Sequence, residues 1–279
     1  MLPVKPGKPS WQGTALRKRY TQNILIPLEI DNSNFITGFV VLDDNGFPEG
    51  GQRTLFDYAG NSFRESCASL IIHREIDDPV LEDGYTITLL KLAHSIDHCN
   101  EFSCNHVVKT AFWAREIARK LGFAEDQLNQ ITLASQLHDV GKIVVPKSVL
   151  TKPSQLSDQE WTIMKRHPNF GAMIMKPSPR LHSLIPFVKA HHENFDGSGY
   201  PLGLAGEQIP IQARIISVAD TYATMTEGRV YRSPSTSSEA LRELTRFSGE
   251  QFDPEIVSVM VDLATSGDVD DSQSNWESR

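Results

Sequence analysis

The chain has 279 residues, 39% hydrophobic and 22% charged, with a formal net charge of −8. That length accommodates one large domain or two smaller ones, each with its own core, and the composition is that of an ordinary globular protein. An acidic total argues against a broad surface for long DNA or RNA, but it permits a small phosphate ligand held by a few local cations.

Residues 1–15 are rich in Pro, Gly and Lys and read as loose chain. The lysines have no apolar block behind them, so no secretory signal is expected. Ile24-Leu25-Ile26 and Phe39-Val40-Val41-Leu42 are short β-prone runs separated by Asp31-Asn32-Ser33-Asn34. With Asp44-Asn45-Gly46 closing the second run, they predict two antiparallel strands. A helix is expected from about Leu55 to His73. This strand–strand–helix order, with the phrase PLEIDNSNFITGFVVLD, resembles part of a GAF sensor domain; the alternative is an unassigned α/β cap.

From about Asp78 the pattern turns helical. Residues 86–98 are periodic, and residues 106–121 carry Val107, Ala111, Ala114, Ala118 and Leu121 at helical spacing. Gly122 breaks that pattern, and residues 126–138 resume it with Leu128, Ile131 and Ala134. Ser157-Asp158-Gln159-Glu160 fits a capping box opening a helix through Trp161 and Met164. Pro210 starts a helix with Ile211, Ile215, Val218, Tyr222 and Met225 on one face. The division expected is therefore a small α/β region over 1–78, a helical domain over 79–264 and a disordered Ser/Asp/Gly-rich tail over 265–279. No apolar run approaches the roughly 18 residues needed to span a bilayer. The three cysteines, Cys67, Cys99 and Cys104, do not form a disulfide framework and read as free thiols. A cytoplasmic location away from membranes is expected.

Of nine histidines, five fall with two aspartates in places that suggest one site. His138-Asp139 is followed by Gly141-Lys142, and His191-His192 by Glu193 and then Asp196-Gly197-Ser198-Gly199-Tyr200-Pro201. His106 lies sixteen residues before Gly122 and His138 sixteen after it. A helical hairpin at Gly122 returns both to one end. The same argument applies to His167 and His191 about a turn at Pro177-Ser178-Pro179. Asp220 sits inside the apolar helix beside Val218 and Tyr222, where a carboxylate needs a partner such as a metal. Imidazole and carboxylate without thiolate suit divalent Fe, Mn, Ni or Zn. A carboxylate can bridge two ions, which makes Asp139 the natural bridge, and two ions together can clamp a phosphodiester for in-line attack. Lys142 is on Asp139's face if the helix continues, where it would offset phosphoryl charge. His73, His94, His98 and His182 read as surface or packing residues.

LHDVGK, HP followed by FG, HHENFDGSGYP and VADTYATMTEGRVYR, in this order over roughly residues 84–255, resemble the HD-GYP branch of the HD superfamily. The resemblance implies a mainly α, all-helical HD-type bundle behind the small N-terminal α/β domain. It also implies hydrolysis of cyclic di-GMP to linear pGpG, and sometimes onward to GMP. By matching position it implies one metal on His106, His138, Asp139 and Asp220, and a second on Asp139, His167, His191 and His192. Lys142, Gly199, Tyr200, Arg229 and Arg232 match substrate-facing positions. Three-metal members carry Glu where this chain has Phe102, with Glu101 one residue off, so two metals are expected. Ala223 replaces an Asp, and Glu227-Gly228 replaces the usual Ser-Asp; neither change removes a ligand. The alternatives are another cyclic or linear dinucleotide as substrate, or a non-catalytic c-di-GMP- or protein-binding sensor. A homodimer through the helix near 86–98, or a signalling protein partner, completes the expectations.

Overall fold

The computed structural model describes residues 25–30, 36–41, 79–98, 106–227 and 234–266. The two expected strands are β1 (Leu25–Ile30) and β2 (Ile36–Val41), paired antiparallel with Leu25 opposite Val41 and Ile30 opposite Ile36. The register shifts on both sides of Glu29, next to Pro27, which has no N–H to give to a ladder. The helix expected over Leu55–His73, the three cysteines, His98's side chain and residues 267–279 lie outside the described residues, while Thr265 and Ser266 of the tail expected over 265–279 are helical.

Every other element is helical. α1 (Pro79–His98) begins seven residues earlier than its apolar periodicity suggests. Pro79 at its start and Glu82 in the first turn suit a helix N-terminus, where a missing N–H is harmless and negative charge is favoured. Tyr85, Leu89, Leu92, Ala93 and Ile96 turn its apolar face into the protein's own core, and Ile87 is left exposed.

α2 (His106–Lys120) and α3 (Glu125–Leu137) form the predicted hairpin. Gly122 stops α2 at φ +85°, a conformation that costs an L side chain strain. Its N–H donates to the Arg119 carbonyl at 3.0 Å and the Phe123 N–H to the Ala118 carbonyl at 3.1 Å. That paired pattern satisfies carbonyls a helix end would otherwise leave bare. α8 (Ile211–Glu227) packs along α2, where the buried rings of Trp113 and Tyr222 meet edge to face at 5.1 Å. α9 (Ser237–Arg246) and α10 (Pro254–Ser266) close the far side of α8.

The second half of the domain holds short elements. α4 (Lys147–Leu150) is followed by α5 (Asp158–Met164), which opens on the predicted capping box: Ser157 N–H donates to Glu160 at 2.7 Å, and Glu160 N–H donates back to Ser157 Oγ at 3.3 Å. α6 (His167–Met175), a 3₁₀ turn over Pro179–Leu184 and α7 (Ile185–Ala190) make the second hairpin. Its turn is tied to α1, because Ser178 Oγ and the Arg180 N–H both donate to Glu82 Oε1, at 2.8 and 2.7 Å.

Glu82 is buried, so removing its carboxylate leaves the buried Ser178 hydroxyl and the part-buried Arg180 N–H without their acceptor. Glu82→Ala should lower unfolding stability by about 1–3 kcal/mol, read as a lower urea midpoint. An unchanged midpoint would show that this tie does not hold the turn.

Candidate metal centre

Four of the five candidate histidines stand at helix ends, and the hairpins bring those ends together. His106 opens α2 and His138 caps α3, so their rings sit 6.1 Å apart. His167 opens α6 and His191 caps α7, at 5.3 Å. The His138 and His191 rings are 5.1 Å apart, which joins the two pairs. His192 lies 4.1 Å from His191 and 5.0 Å from His167. Asp220, just past the middle of α8, reaches His106 Nε2 at 2.9 Å and His138 Nε2 at 3.6 Å.

Asp139 stands between the groups, and its two oxygens face different ways. Oδ2 lies 3.3 Å from His138 Nε2 and also meets the Lys142 ammonium. Oδ1 lies 3.2 Å from His167 Nε2 and 3.8 Å from His191 Nε2. The helix does not continue past His138, as the placement of Lys142 required. Asp139 turns at φ −100°, ψ 4°, and residues Val140–Val144 form a 3₁₀ turn. Side chains three apart eclipse in a 3₁₀ turn, so Lys142 still returns to Asp139. Gly141 permits this close packing: a Cβ there would lie 2.0 Å from the His167 carbonyl oxygen.

Three rings share one orienting device. The Nδ1–H of His138, His167 and His191 donates to the carbonyl of Ser135, Met164 and Val188, at 2.6, 2.8 and 2.6 Å. Each carbonyl lies three residues back, in the last turn of a helix, where no intrahelical donor is left for it. A protonated Nδ1 fixes the tautomer and turns Nε2 inward as the free ligand atom.

The donors fit a metal. Ligand atoms of Asp139, His167, His191 and His192 converge in one group, and those of His106, His138 and Asp139 in another. His138 Nε2 and Asp139 Oδ1 are buried and make no hydrogen bond. Burying such groups is unfavourable unless something binds them, and a cation between them meets that need. Among the described residues no other His/Cys/Asp/Glu cluster of this kind occurs. His94 is half-buried outside it, and His182 is exposed with Nε2 on the Lys176 carbonyl at 2.8 Å.

Charge within the site is strongly coupled. Burial alone would lower His138, but the Asp139 and Asp220 carboxylates outweigh it and raise its pKa to about 10. Burial would raise Asp139, but Lys142, His138 and His167 hold it well below the usual carboxylate range. Asp220 is held low in the same way, burial being outweighed by the His106 and His138 imidazoles beside it. Burial, with the charges of His138 and His167, lowers His191 to about 3. Burial, then His191 and His167, holds His192 well below its ordinary value.

The loop after His192 forms one wall. Tyr200 stacks on the His192 ring at 4.9 Å and 27°, and the ammonium of Lys165, which caps α5, lies over the Tyr200 ring at 5.4 Å. Gly199 sits where a Cβ would come within 2.2 Å of the Asn194 nitrogen. Sequence reasoning gave no role to Glu193, yet this buried carboxylate holds the loop, accepting from the N–H groups of Leu202 at 2.6 Å and Leu204 at 3.0 Å. A buried acid inside a Gly-rich motif was the available signal. Ala223 is fully buried on α8. Arg229, Arg232, Glu101 and Phe102 lie outside the described residues.

Residues 91–256 match the sequence model of the HD domain family. A cyclic di-GMP phosphodiesterase response regulator of Xanthomonas campestris is 38% identical over 65% of this chain and 48% of its own length. A 3′3′-cGAMP-specific phosphodiesterase of Vibrio cholerae is 36% identical over 61% of this chain and 33% of its own. This chain thus spans half or less of the length of these relatives. A solved cyclic GMP-AMP-specific phosphodiesterase of V. cholerae shares the fold, with a TM-score of 0.51 at 19% identity, over 68% of this chain and 52% of that one. Among the described residues no helix is long and apolar enough to cross a membrane.

A ligating imidazole must give up its Nε2 proton. With His138 raised to about 10, the metal-free site carries that proton at pH 7, and metal uptake expels it. Titration calorimetry at pH 7 should give a binding enthalpy that varies with the ionisation enthalpy of the buffer, and affinity should rise from pH 6 to pH 8. His191 acts on the metal-free fold in the opposite sense. Its folded value of about 3 lies below the ordinary 6.5, so the stability it contributes is complete above pH 6.5 and is lost as pH falls toward 3. A buffer-independent enthalpy would contradict the assignment for His138.

Proposed function

The chain belongs to the HD domain family, and we propose that it is a metal-dependent phosphodiesterase opening cyclic di-GMP to linear pGpG. The observation that carries this reading is the Asp139 carboxylate, whose oxygens divide between two groups of imidazoles. That division suits a bridge between two divalent cations, one on His106, His138, Asp139 and Asp220, the other on Asp139, His167, His191 and His192. Fe or Mn suits this oxygen and nitrogen set, and Ni or Zn is also accepted. When bound, such a pair supplies Lewis acidity and an activated water for in-line attack at phosphorus.

The chain's own residues bind, orient and balance charge. Lys142 is part-exposed beside Asp139 and offers its ammonium to the phosphoryl oxygens as their charge develops. Tyr200, stacked on His192 and beside Lys165, borders the substrate in this reading. Gly199 lets the loop backbone approach closely, and Arg229 and Arg232 provide phosphate contacts in this reading. Residues 1–78 would form a separate input unit, and a chain with three cysteines and no disulfide framework suits the cytoplasm. A mixed GMP–AMP cyclic dinucleotide is the second reading, because a relative of nearly equal identity bears that specificity in its name.

The test is metal analysis coupled to product chromatography, on protein reconstituted under reducing conditions with iron or manganese. Wild type should hold two ions and convert cyclic di-GMP to pGpG, and Asp139→Ala should lose both metal and turnover. Normal turnover in Asp139→Ala, or tight binding without hydrolysis by the metal-replete wild type, would overturn the proposal. Lys142→Met should keep its metal and lose about 10²–10³ in kcat, the scale for a single oxyanion-stabilising donor. A kcat within twofold of wild type would remove Lys142 from the chemistry.

A further inference from the structure

His106 differs from its three neighbours. His138, His167 and His191 each borrow a carbonyl from the last turn of a helix, whereas His106 stands at the N-terminal end of α2 and its ring partners among the described residues come from α8. Instead, α8 addresses both of its ring nitrogens. Asp220 meets Nε2 at 2.9 Å, and Glu227 Oε2 lies 3.8 Å from Nδ1. Asp220 and Glu227 are seven residues apart, about two helical turns, and so lie on one face of α8. Glu227 is buried, with a side chain 8% exposed, and its other oxygen lies 3.4 Å from Lys109 Nζ, one turn along α2 from His106. A carboxylate withdrawn from water needs such partners. Glu227 stands where the HD-GYP pattern has Ser, so this carboxylate is a property of this chain.

We infer that Glu227 is a positioning residue: its carboxylate holds the Nδ1 side of the His106 ring so that Nε2 is presented to the same cation as His138, Asp139 and Asp220. This rests on the proposed two-metal reading. The carboxylate does for His106 what backbone carbonyls do for the other rings, and its negative charge makes the imidazole a stronger donor. Lys109 offsets part of that charge and anchors Glu227 to α2.

The test titrates chelator-stripped full-length protein with Zn²⁺ or Co²⁺ and reads affinity per equivalent, independently of any nucleotide. Wild type should take up two equivalents. Glu227→Ala should weaken one equivalent by about 10–100-fold and leave the other unchanged, with the far-UV spectrum and thermal midpoint of the stripped protein unchanged. Glu227→Gln, which keeps an acceptor oxygen but no charge, should fall between, and it carries the test if the alanine variant folds poorly. Lys109→Met should keep wild-type affinity or exceed it. Two wild-type equivalents in Glu227→Ala, or a loss in Lys109→Met equal to that in Glu227→Ala, overturns the inference and leaves the proposed function intact. A wild type that takes up no metal overturns both.

Discussion

The Asp139 carboxylate is the point on which the domain is organised. Its oxygens face His138 and Lys142 on one side and His167 and His191 on the other, all within 4 Å and mostly buried. Each of those side chains comes from a different turn or helix end. The hairpin at Gly122, the tie of Glu82 to the turn before α7 and the bare approach of Gly141 to the His167 carbonyl all serve that meeting. Hydrophobic packing holds the helices together, but the position of each helix end is constrained by polar groups that have no partners other than one another.

The electrostatics follow from the same crowding. Two carboxylates are held ionised and one imidazole is held protonated, while His191 and His192 are held neutral. A site that divides its protons in this way is a coupled network, and its members titrate together. The chain is acidic overall, yet it places Lys142 and Lys165 at the mouth of this network. A phosphate ligand therefore meets a local field opposite in sign to the net charge.

Much of this was legible in the sequence because it follows from counting along helices. Equal spacing about Gly122 placed His106 beside His138, and the Pro177-Ser178-Pro179 turn did the same for His167 and His191. The capping box at Ser157 and the buried face of α8 were equally direct. Periodicity failed where it carried no information. It started α1 too late, because Glu82 and Gly84 interrupt the apolar pattern, and it extended a helix through Asp139 where the chain tightens into a 3₁₀ turn. Glu82 and Glu193 were given no role, and Glu227 was marked only as a departure from the family pattern, for a shared reason. A glutamate on a helix or in a polar motif looks like surface until the partner that buries it is known: a distant turn for Glu82, the backbone of its own loop for Glu193 and a facing helix for Glu227.

The orientation of three imidazole rings by helix-end carbonyls has a consequence for how such a domain can change over time. These rings are aimed by backbone, so point substitutions around them leave their aim untouched. What they do not tolerate is a change of length. One residue inserted in the last turn of α3 or α7 rotates everything beyond it by about 100° and points Nε2 away from Asp139. Insertions and deletions are thus confined to loops that do not lead directly into a ligand, whereas α3, α5 and α7 keep their phase at their C-terminal ends whatever residues line their outer faces.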